Sequence, residues 1–205
     1  MNELLAAILK RSASHHRYIV AIAGPPGAGK STLAAGLVPL LPDAKVVPMD
    51  GFHYDNAVLD MLNLRSRKGA PETFDFPGFE NILQRIHSGE PDVAVPVFDR
   101  TADLARAGAD LIRRHTRFIV VEGNYLLLNE DPWNGLGAYF DYTIFIDVPR
   151  PELQRRLIKR WLDLGRTPEQ AEYWVVTNDM PNVDRVLTGR RKEDYRFSPP
   201  VAVPK

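Results

Sequence analysis

Cysteine is absent from this chain of 205 residues. That excludes disulfides, cysteine-ligated zinc, iron–sulfur clusters and a cysteine nucleophile. It is compatible with a reducing compartment. Neither sign of charge is in excess, since 26 basic residues balance 26 acidic ones. No global field therefore draws the protein to nucleic acid or to an anionic membrane, and neither is expected as a partner. No apolar run approaches the roughly 20 residues that cross a bilayer. Met1 to Arg11 carries its acid early and its bases late, the reverse of a secretory signal, and reads as a short amphipathic helix packed on the domain. A cytoplasmic location is expected. Internal repeats and low-complexity blocks are also missing. The length suits a single α/β domain over 1–205 with a small lid.

What is present is concentrated in Gly24-Pro25-Pro26-Gly27-Ala28-Gly29-Lys30-Ser31. The stretch fits G-x-x-x-x-G-K-[ST], a phosphate-binding loop. It follows an apolar strand-like run, Tyr18 to Ala23, and opens a helix at Ser31-Thr32. Glycines remove side chains so that backbone N–H groups can turn around a polyphosphate. The helix N-terminus adds partial positive charge. Gly24, Gly27, Ala28, Gly29, Lys30, Ser31 and Thr32 are the expected nucleotide-binding set. Lys30 reaches the outer phosphates of ATP in this reading, and the Ser31 hydroxyl holds Mg²⁺.

Short apolar runs alternate with helical patterns along the rest of the chain. Ala44 to Met49, Phe118 to Val121 and Tyr142 to Ile146 read as strands. Val93 to Phe98 and Leu111 to Arg114 read as short strands around an irregular link. Helices are expected over Asp55 to Arg65, Pro77 to His87, Pro151 to Leu164 and Pro168 to Thr177, with another near Val183 to Leu187. Ser198 to Lys205 reads as a loose tail. Continuous apolar strands separated by helices imply a parallel sheet covered on both faces. With the phosphate loop, this is a three-layer P-loop NTPase-type α/β fold. Ligands collect at the carboxyl ends of such strands. Asp50, Glu122, Asp147 and the loop all fall there.

Phosphoryl transfer needs Mg²⁺, and a carboxylate can take the proton of a hydroxyl acceptor. Asp50 ends a strand before Gly51 and is the candidate base; the bland alternative is a turn aspartate. Glu122 and Asp147 both end apolar strands, and spacing alone leaves the Mg²⁺-side acid open between them. The helix from Pro151 carries Arg155, Arg156, Lys159 and Arg160, with Arg166 after Gly165. A solvated charged face explains such a pattern. A lid over about 155–170 that brings cations to the transferring phosphate is the sharper reading. His53 lies beside the candidate base and reads as a substrate contact. Trp133, Trp161 and Trp174 read as core.

These residues resemble the uridine kinase, phosphoribulokinase and pantothenate kinase superfamily of P-loop kinases. The resemblance runs from Tyr18 to about Leu187. It rests on the loop, on Met49-Asp50-Gly51-Phe52-His53, on Arg67 to Asp75, on Pro96-Val97-Phe98-Asp99 and on Val120-Val121-Glu122-Gly123-Asn124-Tyr125. It implies ATP and Mg²⁺ as cofactors. It implies Ser31, Asp50 and Glu122 at the metal, and Asp50, Lys30, Arg156, Lys159 and Arg166 in catalysis. His53, Asp75, Phe98 and Arg100 then hold the acceptor. The Glu122 to Leu128 run and Asn178 to Asn182 are most similar to small bacterial kinases associated with fructose transport systems.

The expected function is transfer of a γ-phosphoryl group to a hydroxyl of a small molecule, a sugar such as fructose. Nucleoside, pantothenate-like and nucleoside monophosphate acceptors stay open, the last through Arg65, Arg67, Lys68 and Arg100. A regulatory ATPase or switch is the alternative from another class, although the guanine-reading Asn-Lys-x-Asp segment is missing. The sequence leaves oligomeric state open, including a homodimer.

Overall fold

Tyr18–Ala23 is buried at every position and forms strand β1. Its alternating side chains belong to two different cores. Ile19, Ala21 and Ala23 face one, and Tyr18, Val20 and Ile22 face the other. A strand hydrophobic on both faces can only sit between two layers, as the computed structural model of the chain shows for the residues it describes, 1–200. Five strands, β1, β2 (Ala44–Pro48), β5 (Phe118–Gly123), β6 (Tyr142–Ile146) and β7 (Tyr195–Phe197), form one sheet in the order β2-β5-β1-β6-β7. Every pairing in it is parallel.

One face of the sheet is covered by α1 (Asn2–Arg11), α2 (Lys30–Leu37), α5 (Arg150–Asp163) and α7 (Met180–Gly189). Leu4 and Ile8 of α1 are fully buried there, as the amphipathic pattern requires. The other face is covered by α4 (Phe76–His87), by a hairpin, and by the segment carrying Tyr125 to Leu128 and Trp133. Each fully buried Leu, Ile or Phe contributes about 1.5–3 kcal/mol relative to exposure. The expected three-layer α/β architecture is therefore the observed one.

Four local expectations need correction. First, the link expected between Val93–Phe98 and Leu111–Arg114 is mostly strand. Strands β3 (Val93–Asp99) and β4 (Leu104–Ile112) form an antiparallel two-stranded sheet apart from the main one. The middle of β4 is solvated, and Gly108 sits at φ 61, so no apolar alternation marks it. Second, the helix expected over Asp55 to Arg65 stops early, as α3 (Asn56–Met61), where Asn63 turns left-handed at φ 57. Its apolar Met61 and Leu62 are exposed. Third, α6 (Pro168–Trp174) runs into α7 through a π-helical turn, Val175–Asp179. Fourth, β7 adds an edge strand just before the expected tail, of which residues 201–205 lie outside the described residues.

The hairpin is fitted tightly to the floor of the site. Gly51, next to Asp50, has no room for a side chain: a Cβ there would stand 2.5 Å from the Pro96 carbonyl oxygen of β3. Backbone cannot yield as a flexible side chain can. Gly51→Ala is therefore expected to cost about 1–3 kcal/mol, read as a lower urea midpoint at unchanged slope. A midpoint equal to wild type would show that the approach is looser than described. At the start of α4, the Asp75 carboxylate accepts a hydrogen bond from the Gly78 N–H at 3.0 Å. Asp75→Ala should cost about 1 kcal/mol and Asp75→Asn much less, because asparagine caps nearly as well.

Candidate active site

The site starts from strand register. Pro48 pairs with Glu122, and Glu122 with Ile22, so β2, β5 and β1 end at one level. The chain leaves β1 into the phosphate loop, β2 into Asp50 and β5 into Glu122-Gly123-Asn124. Gly27 and Gly29 adopt φ values of 80° and 94°, a region closed to most side chains, and Gly29 caps α2. These turns leave a narrow cleft of about 300 Å³ lined by Gly27, Gly29, Lys30, Ser31 and Thr32 on the loop side. Gly24 and Ala28 of the expected set are buried supports instead: Ala28 is 1% exposed and its N–H donates to the Pro25 carbonyl.

Lys30 points back over the loop. Its Nζ donates to Asn124 Oδ1 at 2.6 Å and to the Pro25 carbonyl at 3.1 Å. Burial pushes its pKa down, against the fields of Glu122 and Asp50. Ser31 Oγ donates to Glu122 Oε1 at 3.0 Å. Burial, with help from the nearby Asp50 charge, raises the Glu122 pKa, and Lys30 opposes it. Burial also works to raise Asp50, but His53, Arg100, Lys30 and Arg160 together outweigh it and keep that carboxyl below the usual range. Ser31, Asp50 and Glu122 thus converge as a hydroxyl and two carboxylates, a hard-oxygen donor set. Among the described residues no cluster of three or more His, Cys, Asp or Glu could enclose an ion. A hydroxyl and two carboxylates fit Mg²⁺, which is held by one or two carboxylates together with water and substrate phosphates.

A second, wider cleft of about 1050 Å³ opens beside the first. Asp50 lines both, and is the one carboxylate among the described residues that does. Arg100 lies at the tip of the hairpin and donates to Asp50 Oδ2 at 2.8 Å. His53 Nδ1 sits 2.9 Å from the Asp50 carbonyl oxygen, which places the ring proton on Nδ1. Its ring packs 4.0 Å from Phe74 and 5.0 Å from Phe98, centre to centre. Burial lowers the His53 pKa, against the Asp50 charge and the hydrogen bond to the Asp50 carbonyl. His53, Phe98 and Arg100 therefore meet as expected. Asp75 does not join them, since its carboxylate caps α4.

The basic residues of α5 divide by helix face. Arg156 and Arg160, four apart, line both clefts. Arg156 Nη1 stands 3.4 Å from the Gly27 carbonyl oxygen, and its Nε is held by Glu152 at 2.7 Å. Hydrogen bonds from Arg155 and then Arg156 draw the Glu152 pKa down to about 2. Lys159 pairs with Asp163 at 2.8 Å at the rim, both exposed, and does not reach the narrow cleft. Arg160 takes the inward place expected of Lys159. Spacing of four from Arg156 was the available signal. Asp147 lies outside both clefts; its backbone N–H donates to the Phe197 carbonyl and its carboxylate faces Arg196 at 3.8 Å.

Several cleft residues were not picked out by sequence reasoning. Asn124 was legible as the first polar residue beyond Glu122-Gly123. Trp161 and Trp174, read as core, line the wide cleft, and only Trp133 is fully core. Asp179 and Asn182 reach that cleft from the π turn and α7. A π turn gives no sequence pattern, and such turns are often found at functional sites.

Known proteins resemble this chain in sequence and in fold. The model of the phosphoribulokinase/uridine kinase family matches residues 19–192. The chain is 38% identical to the uncharacterized protein YggC of Escherichia coli K12, over 92% of this chain and 80% of that one. It is 31% identical to a Schizosaccharomyces pombe protein named "putative uridine kinase C227.14", over 82% and 77%. The crystal structure of a "putative fructose transport system kinase" from Silicibacter sp. TM1040 superposes with a TM-score of 0.89 at 40% identity, covering 95% of this chain and 97% of that one. The chain therefore belongs to the phosphoribulokinase/uridine kinase family of P-loop kinases.

Proposed function

We propose that the protein transfers the γ-phosphoryl group of ATP to a hydroxyl of a small polyhydroxylated acceptor, a sugar or sugar derivative of the fructose kind. One observation carries the reading: Asp50 stands where the phosphate cleft opens into the wide cleft. A proton acceptor for a phosphorylated alcohol must stand at such a junction, within reach of the hydroxyl and behind the line of attack. The likeness to a structure named for fructose transport supports the sugar.

The loop amides and Lys30 take the outer phosphates in this scheme, and Lys30 leaves Asn124 to do so. Ser31, Glu122 and Asp50 would hold Mg²⁺, and the ion when bound would supply positive charge to the transferring group. Arg160 and Arg156 approach the same group from the α5 side. The incoming hydroxyl displaces Arg100 from Asp50 and donates its hydrogen bond to the carboxylate. With a depressed pKa, Asp50 is a weak base. It takes the proton late, as the oxygen–phosphorus bond forms, which matches a loose transition state. His53, on its Phe74 and Phe98 bed, borders the acceptor hydroxyls.

The reading is checked by ADP release in a coupled assay with a panel of sugars, nucleosides and pantothenate. Asp50→Asn is expected to lower kcat by about 10²–10⁴-fold while calorimetric ATP binding persists. A near-normal rate would remove Asp50 as the base. Arg160→Ala should lower kcat by about 10²-fold, and Lys159→Ala should leave it within about threefold, the size of an exposed ion pair. The reverse order would restore Lys159 to the transferring phosphate. ATP consumption that ignores every added alcohol would favour a regulatory ATPase.

A further inference from the structure

The acceptor side of the wide cleft has more hydrogen-bond donors than acceptors. None of the described residues accepts a hydrogen bond from the Arg160 or the Arg166 side chain, although both line this cleft. Arg160 also lines the phosphate cleft, and its guanidinium is accounted for there. Arg166, expected among the catalytic cations, lines the wide cleft and not the phosphate cleft. Its guanidinium carbon lies 4.4 Å from the ring centre of Trp161 and 4.8 Å from that of Trp174. The two indoles meet edge to face, 5.7 Å apart at 69°. A guanidinium bracketed in this way is already restrained, so little side-chain entropy remains to be lost when it binds.

A carboxylate is at hand and does not take the fork. Asp179 accepts from Trp161 Nε1 at 2.6 Å. The buried Trp174 Nε1 faces the same carboxylate without a hydrogen bond of good geometry. Two guanidiniums, Arg160 and Arg166, bear on this one carboxylate, leaving a positive surplus in the corner. The other cations nearby are engaged: Lys68 with Asp103 at 2.8 Å, and Arg65 with Asp60 at 3.0 Å. A neutral polyol lying here would offer the planar fork only single, uncharged hydroxyl acceptors, the weaker kind of partner. A carboxylate or phosphate matches that fork with two parallel bonds.

Building on the kinase reading above, we infer that the acceptor carries an anionic group, carboxylate or phosphate, in addition to the hydroxyl it presents to Asp50, and that Arg166 recognises this group. The acceptor is then a hydroxy acid, sugar acid or sugar phosphate. Selection lies in the asymmetry of pairing: a site built around an unpaired donor rejects the analogue that lacks the acceptor.

The test compares matched alcohols that differ in one anionic group: glycerol with glycerate, glucose with gluconate, and fructose with fructose 6-phosphate. Two readouts are taken, ADP release and Trp emission, the latter because Trp161 and Trp174 flank the fork. In the wild type, at least one charged member should exceed its neutral partner by about tenfold or more in kcat/KM or in affinity, the size of a charge-assisted pair. The first two pairs report a carboxylate and the third a phosphate. Arg166→Gln should abolish the advantage, and Arg166→Lys should restore only part of it, since it keeps the charge and loses the fork. Calorimetric ATP binding by each variant confirms that the phosphate loop is intact. Neutral members that equal or exceed charged ones in every pair would overturn the inference, as would a charged-member advantage that survives Arg166→Gln. Charged probes that bind through Arg166 without any ATP turnover would sink the kinase reading and leave the anion site standing. Turnover confined to neutral alcohols would do the opposite.

Discussion

The register of three neighbouring strands fixes where chemistry can happen. Pro48, Glu122 and Ile22 stand side by side across β2, β5 and β1. Whatever follows each strand must therefore emerge at one edge, within a few residues of the same level. The loop lysine, the strand-end glutamate and Asp50 meet because the sheet ends there. Sliding β2 by one residue would turn Val47 out of its core and move Asp50 as well, so the buried alternation that holds the fold also holds the base. Gly51 adds a second lock, since the Pro96 backbone of the hairpin leaves it no space.

The same edge concentrates charge in little water. Lys30 is pushed down by burial while Glu122 is pushed up by it. Each opposes the shift in the other, which keeps a buried lysine and a buried acid together without a direct bond between them. The resting contacts fill the places that ligands would take. Lys30 holds Asn124, and Arg100 holds Asp50. Both are replaceable: Asn124 is neutral, and Arg100 is exposed at a hairpin tip with solvent to receive it. A polyphosphate and a hydroxyl compete for these positions on favourable terms, because charge-assisted bonds to a phosphate are stronger than a bond to an amide.

Much of this was legible in the sequence, and the reasons are specific. The loop, β1, β5 and β6 announce themselves because continuous apolar runs have few structural solutions. Helices α4 and α5 are legible from their one-sided apolar spacing. The hairpin was half missed, since β4 is solvated through its middle and carries no alternation. The reach of α3 was overestimated because Met61 and Leu62 look like core residues and are exposed. At the site, Asp50, Glu122, Lys30, Ser31, His53, Phe98 and Arg100 came to line one cleft or the other. Asp75 did not, because an aspartate before a Phe-Pro helix start satisfies the cap first. Lys159 gave way to Arg160 because a helix presents residues by angle rather than by order along the chain. The tryptophans misled because an indole lining a cleft has the same sequence signature as one in a core.

The division of labour in the site follows from which elements build it. In the proposed scheme the groups that handle phosphate and proton come from the sheet edge, whose geometry is set by main-chain hydrogen bonds and two cores. Groups that border the acceptor come from elements laid across that edge: the hairpin tip, the α5–α6 turn and the π turn before α7. These are tied down by side chains, such as Lys68 with Asp103 and Trp161 with Asp179. A side-chain tie changes with a single substitution, whereas a strand register does not. Chemistry is thus built into the part of the fold that is hardest to alter, and acceptor choice into the part that is easiest. It follows that family membership fixes the reaction more firmly than it fixes the acceptor. The groups that choose the acceptor have to be read from this chain's own cleft, where an arginine held between two indoles is a donor with no acceptor among the described residues.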